Sequence, residues 1–388
     1  MRRFVSYWAL SWNALRASLF CQFFSVATLA AQESVELKVQ EVRRIEPEGA
    51  GYVLGRVSAA ALGPGHVIAV LESTGPELLL FDGNSGRLLR KVGRVGSGPG
   101  EFVAPRGVGN SASSRLWLWD RALARLTLFR WDGQLDTSFA VPSQGPAVPR
   151  VGGGALVLPV KIYRARNGLD RMQAVIVSVG RVRGRPDTVF NRSIEYAGLA
   201  VPNGQGGFIV GRQPFTDELL ITASGRGDGF VVVDRKVAAQ ANPSVHVVRY
   251  SEKGQIIFDT RIPYRPIKIA PDLQTRALDR LFRPYSKASG LKREDFAKVM
   301  LVPSHHPSVT STLIGSDSTI WLRREDLSGI TTRWTVLSPD GAVVGTAQIP
   351  SVLRVLSVSM GGIVAAPDDQ EDPPFLVLLS VKRNTPNE

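Results

Sequence analysis

Beyond residue 31 the chain alternates short runs of β-branched, aliphatic and aromatic residues with clusters of Gly, Pro, Asp and Asn. That rhythm predicts an all-β protein. Strand, turn and strand recur four times in clear form. Glu77 to Phe81 leads through Asp82-Gly83-Asn84-Ser85-Gly86 into Arg87 to Val92. Arg125 to Trp131 turns at Asp132-Gly133. Val247 to Tyr250 turns at Glu252-Lys253-Gly254 into Gln255 to Phe258, and Thr335 to Ser338 turns at Pro339-Asp340-Gly341 into Ala342 to Ala347. Each turn carries the glycine whose positive φ a tight hairpin demands.

Gly86 and Gly133 lie 47 residues apart, the period of a four-stranded propeller unit rather than of a sandwich. Six units follow on this spacing, at 55 to 97, 98 to 145, 146 to 195, 196 to 268, 303 to 350 and 351 to 384. The expected fold is a six-bladed β-propeller occupying residues 31 to 388. Val35 to Val42 alternates as a lone strand, and it is expected to close the ring as the outermost strand of the last blade, because closure removes exposed sheet edges. Helical spacing appears only between blades four and five, over 270 to 300. Leu273, Ala277, Leu278, Leu281 and Phe282 mark one short amphipathic helix, and Leu291, Phe296, Val299 and Met300 mark a second. Arg276, Arg280, Arg283, Lys292, Arg293 and Lys298 make their outer faces basic, so the pair serves as a structural cap or as a docking or lid element.

The amino terminus changes the picture of location. Arg2, Arg3 and Arg16 precede an apolar run from Ala17 to Ala31, without an acidic residue and with small residues at Thr28 and Ala30. Residues 1 to 30 therefore read as a signal peptide, shorter in its apolar run than a membrane span requires. Phe20 before Cys21 does not suit a lipidation site. Cleavage would take the net charge from +13 to +10 and leave no cysteine. A periplasmic or extracellular monomer without disulfides, held by its own core, is expected, with no integral span and no nucleic-acid partner. Arginines spread along the chain, among them Arg87, Arg90, Arg94, Arg181, Arg183 and Arg185, favour a protein, glycan or lipid partner of acidic character.

Gly96-Ser97-Gly98-Pro99-Gly100-Glu101-Phe102 with Pro105, then Asp120, Arg125 and Phe129, resembles the NHL repeat of six-bladed propellers and, more broadly, the TolB-like group. The match is close in the second unit, partial in the first and fifth, and limited to strand rhythm elsewhere. The resemblance implies that Asp120 bonds turn amides and that Arg125 reaches across the hairpin. The fifth unit departs, with Leu322-Arg323-Arg324 where an aspartate would stand.

Function has to be sought where loops and inner strands meet the central channel. Arg106, Arg323 and His306 are the expected ligand-binding residues, since guanidinium groups there suit a carboxylate, phosphate or sulfated sugar. Arg324 belongs to the same set. No Ser-His-acid elbow or phosphate loop is present. The resulting expectation is a non-enzymatic binding or scaffold module for a protein or anionic ligand, without cofactor. The alternative is a cation-dependent hydrolase or lyase, implied by likeness to the lactonase or peptidyl-amide-lyase propellers. It would use calcium, or zinc held by His66, His305 and His306. The acidic run Asp368-Asp369-Gln370-Glu371-Asp372 reads as a solvated loop.

Overall fold

The computed structural model describes residues 35 to 383, apart from 47, 50, 74, 76, 142–144, 159, 164–169, 181–185, 197, 203–205, 236–241, 287–289, 326–328 and 370–372. The signal segment, Cys21, the arginines at 181, 183 and 185, and most of the acidic run lie outside the described residues.

The described residues are mostly β, with two α-helices among them. Val57–Leu62, Val67–Glu72, Leu78–Asp82 and Leu88–Val92 form the first antiparallel sheet. Pro105–Asn110, Leu116–Asp120, Arg125–Phe129 and Leu135–Ala140 form the second. In the third, Ala147–Pro149 pairs with Ala155–Val157. Asp170–Val179 then pairs on one edge with Ala155–Val157 and Val160–Tyr163, and on the other with Asp187–Tyr196. Leu220–Ala223, Gly229–Asp234, Ser244–Ser251 and Ile256–Pro263 form the fourth.

Beside two short two-stranded hairpins, the remaining strands form one eight-stranded sheet. Ser311–Ile314, Ile320–Arg324, Thr331–Leu337 and Val343–Pro350 form one meander, and Leu353–Ser359, Gly362–Pro367 and Leu376–Arg383 another. The amino-terminal strand β1 (Glu36–Ile45) lies between them. It runs antiparallel to Leu376–Arg383 through eight pairs from Leu37↔Arg383 to Ile45↔Leu376, with a bulge between Glu41 and Arg43. To Val343–Pro350 it makes only two parallel pairs, Glu36↔Thr346 and Leu37↔Ala347.

The arrangement is propeller-like because the apolar clusters sit between consecutive sheets. Leu71, Leu78 and Leu80 meet Phe102, Leu118 and Phe129 between the first and second. Trp117 and Trp119 meet Ala155 and Val179 between the second and third. Leu156 and Ile176 meet Phe230 and Val232 between the third and fourth, and Val231, Val245 and Ile262 meet Ile320 and Leu337 beyond it. Trp321 and Trp334 meet Ile363 and Val377. Ile45, Val364 and Leu376 meet Val57, Ile68 and Phe81 of the first sheet. Alternating strand residues supply both flanks of each sheet to its two neighbours, which is why nearly continuous apolar runs such as Leu78-Leu79-Leu80-Phe81 are buried throughout. Each large side chain so buried contributes about 1.5–3 kcal/mol.

Helices α1 (Pro271–Phe282) and α2 (Arg293–Val299) fall inside the stretch with helical spacing. The hairpin Gly198–Pro202 with Phe208–Arg212 differs from expectation. Strand rhythm assigned it to the fourth unit, but it forms a separate two-stranded sheet. Its Leu199, Val201 and Ile209 pack on Leu278 and Phe296 of the helices, so a tertiary contact decides where it pairs. Among the described residues no helix is long and apolar enough to cross a membrane.

Candidate functional site

A partly open cavity of about 200 Å³ lies where the first strands of successive sheets come together. Its wall takes Ala60 to Leu62 from the first sheet, Val108 to Asn110 from the second, Val148 from the third and Thr222 and Ala223 from the fourth. Leu313 to Ser316 and Leu356 to Val358 come from the two meanders of the eight-stranded sheet. Most of the lining is small and apolar. Arg226 is its one ionisable residue among the described residues.

Arg226 reaches the cavity from the turn Ser224 to Gly229, which joins the first two strands of the fourth sheet. Its Nη1 donates to the Ser316 carbonyl at 2.8 Å. Its Nε lies 3.5 Å from Asp228 Oδ2, an ion pair without hydrogen-bond alignment. The same Oδ2 accepts from Arg249 Nη2 at 3.1 Å and Ser318 Oγ at 3.0 Å. Arg249 is 5 % exposed and also donates to the Ser318 and Pro339 carbonyls. One carboxylate thus holds two guanidinium groups, so the cluster keeps a net positive charge beside the cavity.

The turn itself is fixed by its neighbours on three sides. Trp117 Nε1 donates to the Gly225 carbonyl at 2.7 Å, Ala112 N–H to the Arg226 carbonyl at 3.0 Å and Val151 N–H to the Gly227 carbonyl at 3.2 Å. Gly227 has φ +78°, and a Cβ there would stand 1.9 Å from the Pro149 carbonyl oxygen. Only glycine fits this approach. Arg226 is therefore held in place before any ligand arrives. The remaining polar lining contains further donors. Asn110 accepts from Trp131 Nε1 at 3.4 Å through Oδ1, which directs its NH2 elsewhere. Ser357 Oγ accepts from Leu62 N–H at 3.3 Å, which leaves its hydroxyl hydrogen to donate.

The residues singled out from the sequence lie elsewhere. Arg106 is exposed on a cleft of about 190 Å³ with Ser58, Glu72 and Pro105, between the first and second sheets. Arg323 is half-buried in mid-sheet, where its carbonyl accepts from Thr310 N–H at 2.9 Å. Neither lines the central cavity. Arg324 is buried. It donates to Thr335 Oγ1 and the Ser308 carbonyl, both at 3.2 Å, and lies 5.6 Å from the Tyr264 ring centroid. Burial pulls its guanidinium down to about 10 and pushes the Tyr264 hydroxyl up.

His306 is 3 % exposed at the side chain, 4.0 Å from Glu325 through Nδ1, with the Phe215 ring edge-on at 5.5 Å and no bond at Nε2. His305 bonds Ser304 Oγ through Nδ1 at 2.8 Å. His66 is exposed in the first turn of the first sheet, with its carbonyl accepting from Gly83 N–H. The three histidines are not brought together, and among the described residues no three His, Cys, Asp or Glu side chains converge as metal ligands would.

Asp120 is fully buried and accepts from the amides of Val103 at 2.7 Å, Ala104 at 3.2 Å and Leu123 at 3.0 Å. Arg125 donates to the carbonyls of Ser97 at 2.8 Å, Gly98 at 2.9 Å and Glu101. Arg226, Asp228 and Arg249 escaped the sequence reading. The available signal was the run Ser224-Gly225-Arg226-Gly227-Asp228-Gly229 directly after an apolar strand, where two ionised side chains alternate with glycine.

No family model matches this chain, and no curated protein matches it. Among solved structures it is similar to a protein of Bacteroides fragilis described as exported, at 11 % identity over 89 % of this chain and 96 % of that one, with a TM-score of 0.49. It is also similar to a member of the DUF4221 family from Bacteroides vulgatus, at 9 % identity over 90 % and 100 % of the two chains and a TM-score of 0.47. A third is a catalytically inactive virginiamycin B lyase from Staphylococcus aureus crystallised with quinupristin, at 10 % identity over 89 % and 99 % and a TM-score of 0.38.

Proposed function

We propose that this chain is an exported six-bladed β-propeller of the NHL or TolB-like kind, a monomer of the periplasm or extracellular space. It binds an anionic ligand at its central channel without catalysing a reaction and without a cofactor. The blade count rests on dividing the eight-stranded sheet at β1. Eight pairs tie that strand to Leu376–Arg383 and only two to Val343–Pro350, which supports reading it as the fourth strand of the last blade. Export rests on the basic and then apolar character of residues 1 to 30.

The observation that carries the binding role is the cavity wall itself. First strands from successive sheets surround it, and its one ionisable side chain among the described residues is a guanidinium held by Asp228 and Ser316. A guanidinium stays protonated at any physiological pH, so it attracts and orients an anion but does not shuttle protons.

The test is thermal unfolding of the mature protein against a panel of small anions, cations and neutral compounds, repeated on Leu356→Trp, which enlarges a half-buried residue of the cavity wall. Saturable stabilisation by anions that the variant loses is the expected result. Saturable stabilisation by micromolar calcium or zinc, with turnover of a lactone or peptide amide, would replace this reading with the hydrolase or lyase.

A further inference from the structure

The cavity's chemistry narrows the anion, on the assumption that the channel is a binding site. Three properties of the wall decide among carboxylates, phosphates and sulfates.

Charge comes first. Arg226 and Arg249 share the single carboxylate of Asp228, so the cluster supplies one net positive charge. One positive charge balances a monoanion and leaves a dianion half-compensated. Composition comes second. The wall is mixed, with Ala60, Ala61, Val108, Ala223, Leu313 and Val358 beside the polar Asn110, Thr222, Ser316 and Ser357, and such a surface suits an ion with one polar end and one aliphatic end better than an ion that is polar on every side. Volume comes third. About 200 Å³, partly open, admits a small organic anion.

The donor geometry agrees. Arg226 Nη1 is anchored on Ser316, while Nη2 bonds no described residue. The Ser357 hydroxyl adds a donor on the neighbouring wall. With Nη1 on Ser316 and Nε beside Asp228, a carboxylate would take a charge-assisted hydrogen bond from Nη2. We infer that the central cavity binds a short-chain aliphatic monocarboxylate, its carboxylate on Arg226 and its tail along the alanine and valine side of the wall.

Titration calorimetry of the mature protein with acetate, butanoate, pentanoate, hexanoate and octanoate tests this, with hexanol and inorganic phosphate as controls. Affinity should rise roughly fourfold per methylene up to the length that fills the cavity and then fall. Arg226→Gln should weaken hexanoate at least about tenfold and bring it level with hexanol. Arg226→Lys, which keeps the charge and loses the planar fork, should fall between.

Equal binding of hexanol and hexanoate to the unaltered protein would overturn the carboxylate assignment while leaving the channel as a binding site. Arg226-dependent binding of phosphate in preference to every carboxylate would also overturn it, and would leave the anion-binding reading intact. No binding of any anion would remove both. If Arg226→Gln fails to fold, the chain-length series on the unaltered protein still decides, since a flat series contradicts the apolar tail.

Discussion

Two glycine-rich turns in this molecule use the same parts and end differently. In Gly96 to Phe102, Arg125 donates to three loop carbonyls, while Glu101 accepts from the Gly98 amide at 2.8 Å and pairs with Arg94 at 2.7 Å. In Ser224 to Gly229, Asp228 pairs with Arg249 and receives Ser318 Oγ, but Arg226 lines a cavity. Arg125, from the following hairpin, holds the first turn from outside, and the turn anchors Phe102 in the core between two sheets. The second is likewise held from outside, by Trp117, Ala112 and Val151, but its own arginine lines a cavity. An arginine and a carboxylate in a glycine turn do not by themselves mark a site. What separates the two is what the turn packs against, a filled core or a cavity.

The contrast can be broken most forcefully at Asp120, which supports the first turn's exit. Asp120→Ala removes a fully buried carboxylate that accepts from three part-buried amides, and should cost about 3 kcal/mol in urea unfolding without altering ligand affinity in the fraction that remains folded. Gly227→Ala places a Cβ against the Pro149 carbonyl at positive φ. It should cost about 1–3 kcal/mol and, unlike Asp120→Ala, abolish ligand binding by displacing Arg226. Arg125→Met should cost about 1–2 kcal/mol and leave binding unchanged, whereas equal losses of binding in Arg125→Met and Gly227→Ala would erase the distinction between the turns. Trp117→Phe removes the bond to Gly225 and part of a buried ring that also lines the cavity, and should cost about 1–3 kcal/mol, with a modest loss of affinity.

The smallest effect is one of pH. The Gly98 amide, and then Arg94, hold the Glu101 carboxyl below the usual glutamate range. A depressed carboxyl stabilises the fold fully above the ordinary glutamate value and loses that contribution as pH falls toward its lower folded value. Acid unfolding followed by tryptophan fluorescence should therefore be less steep below pH 4.5 in Glu101→Gln. An unchanged slope would place the acid-sensitive groups elsewhere.

The sequence made the strand-turn-strand units legible because their signals are local. Asp82 to Gly86, Asp132-Gly133 and Pro339 to Gly341 each specify a turn within five residues, and the structure turns at each. The helical stretch at 270 to 300 was visible for the same reason. The hairpin at 198 to 212 was misplaced because its partner surface, Leu278 and Phe296, lies some 70 to 100 residues on, and strand rhythm carries no record of such a contact. The cavity was hidden more deeply. Its wall draws on residues from Ala60 to Val358, and nothing in the run around Arg226 says that Asn110, Ser316 and Ser357 stand beside it. Arg106 and Arg323 looked equivalent to Arg226 in sequence, since each is an arginine near a strand end or in a loop. Only the convergence of the first strands separates them.

The most direct measurement of the central claim is methyl NMR of the mature protein, labelled at Ala, Leu, Ile and Val, titrated with hexanoate. Binding in the central cavity predicts saturable shifts at Ala60, Ala61, Ala223, Leu313, Ile314 and Val358, with none beside the Arg106 cleft or around His306. Shifts concentrated at Val95 and Val103 of that cleft, or at Ile267 and Val309 near His306, would contradict it and move the binding site off the central channel.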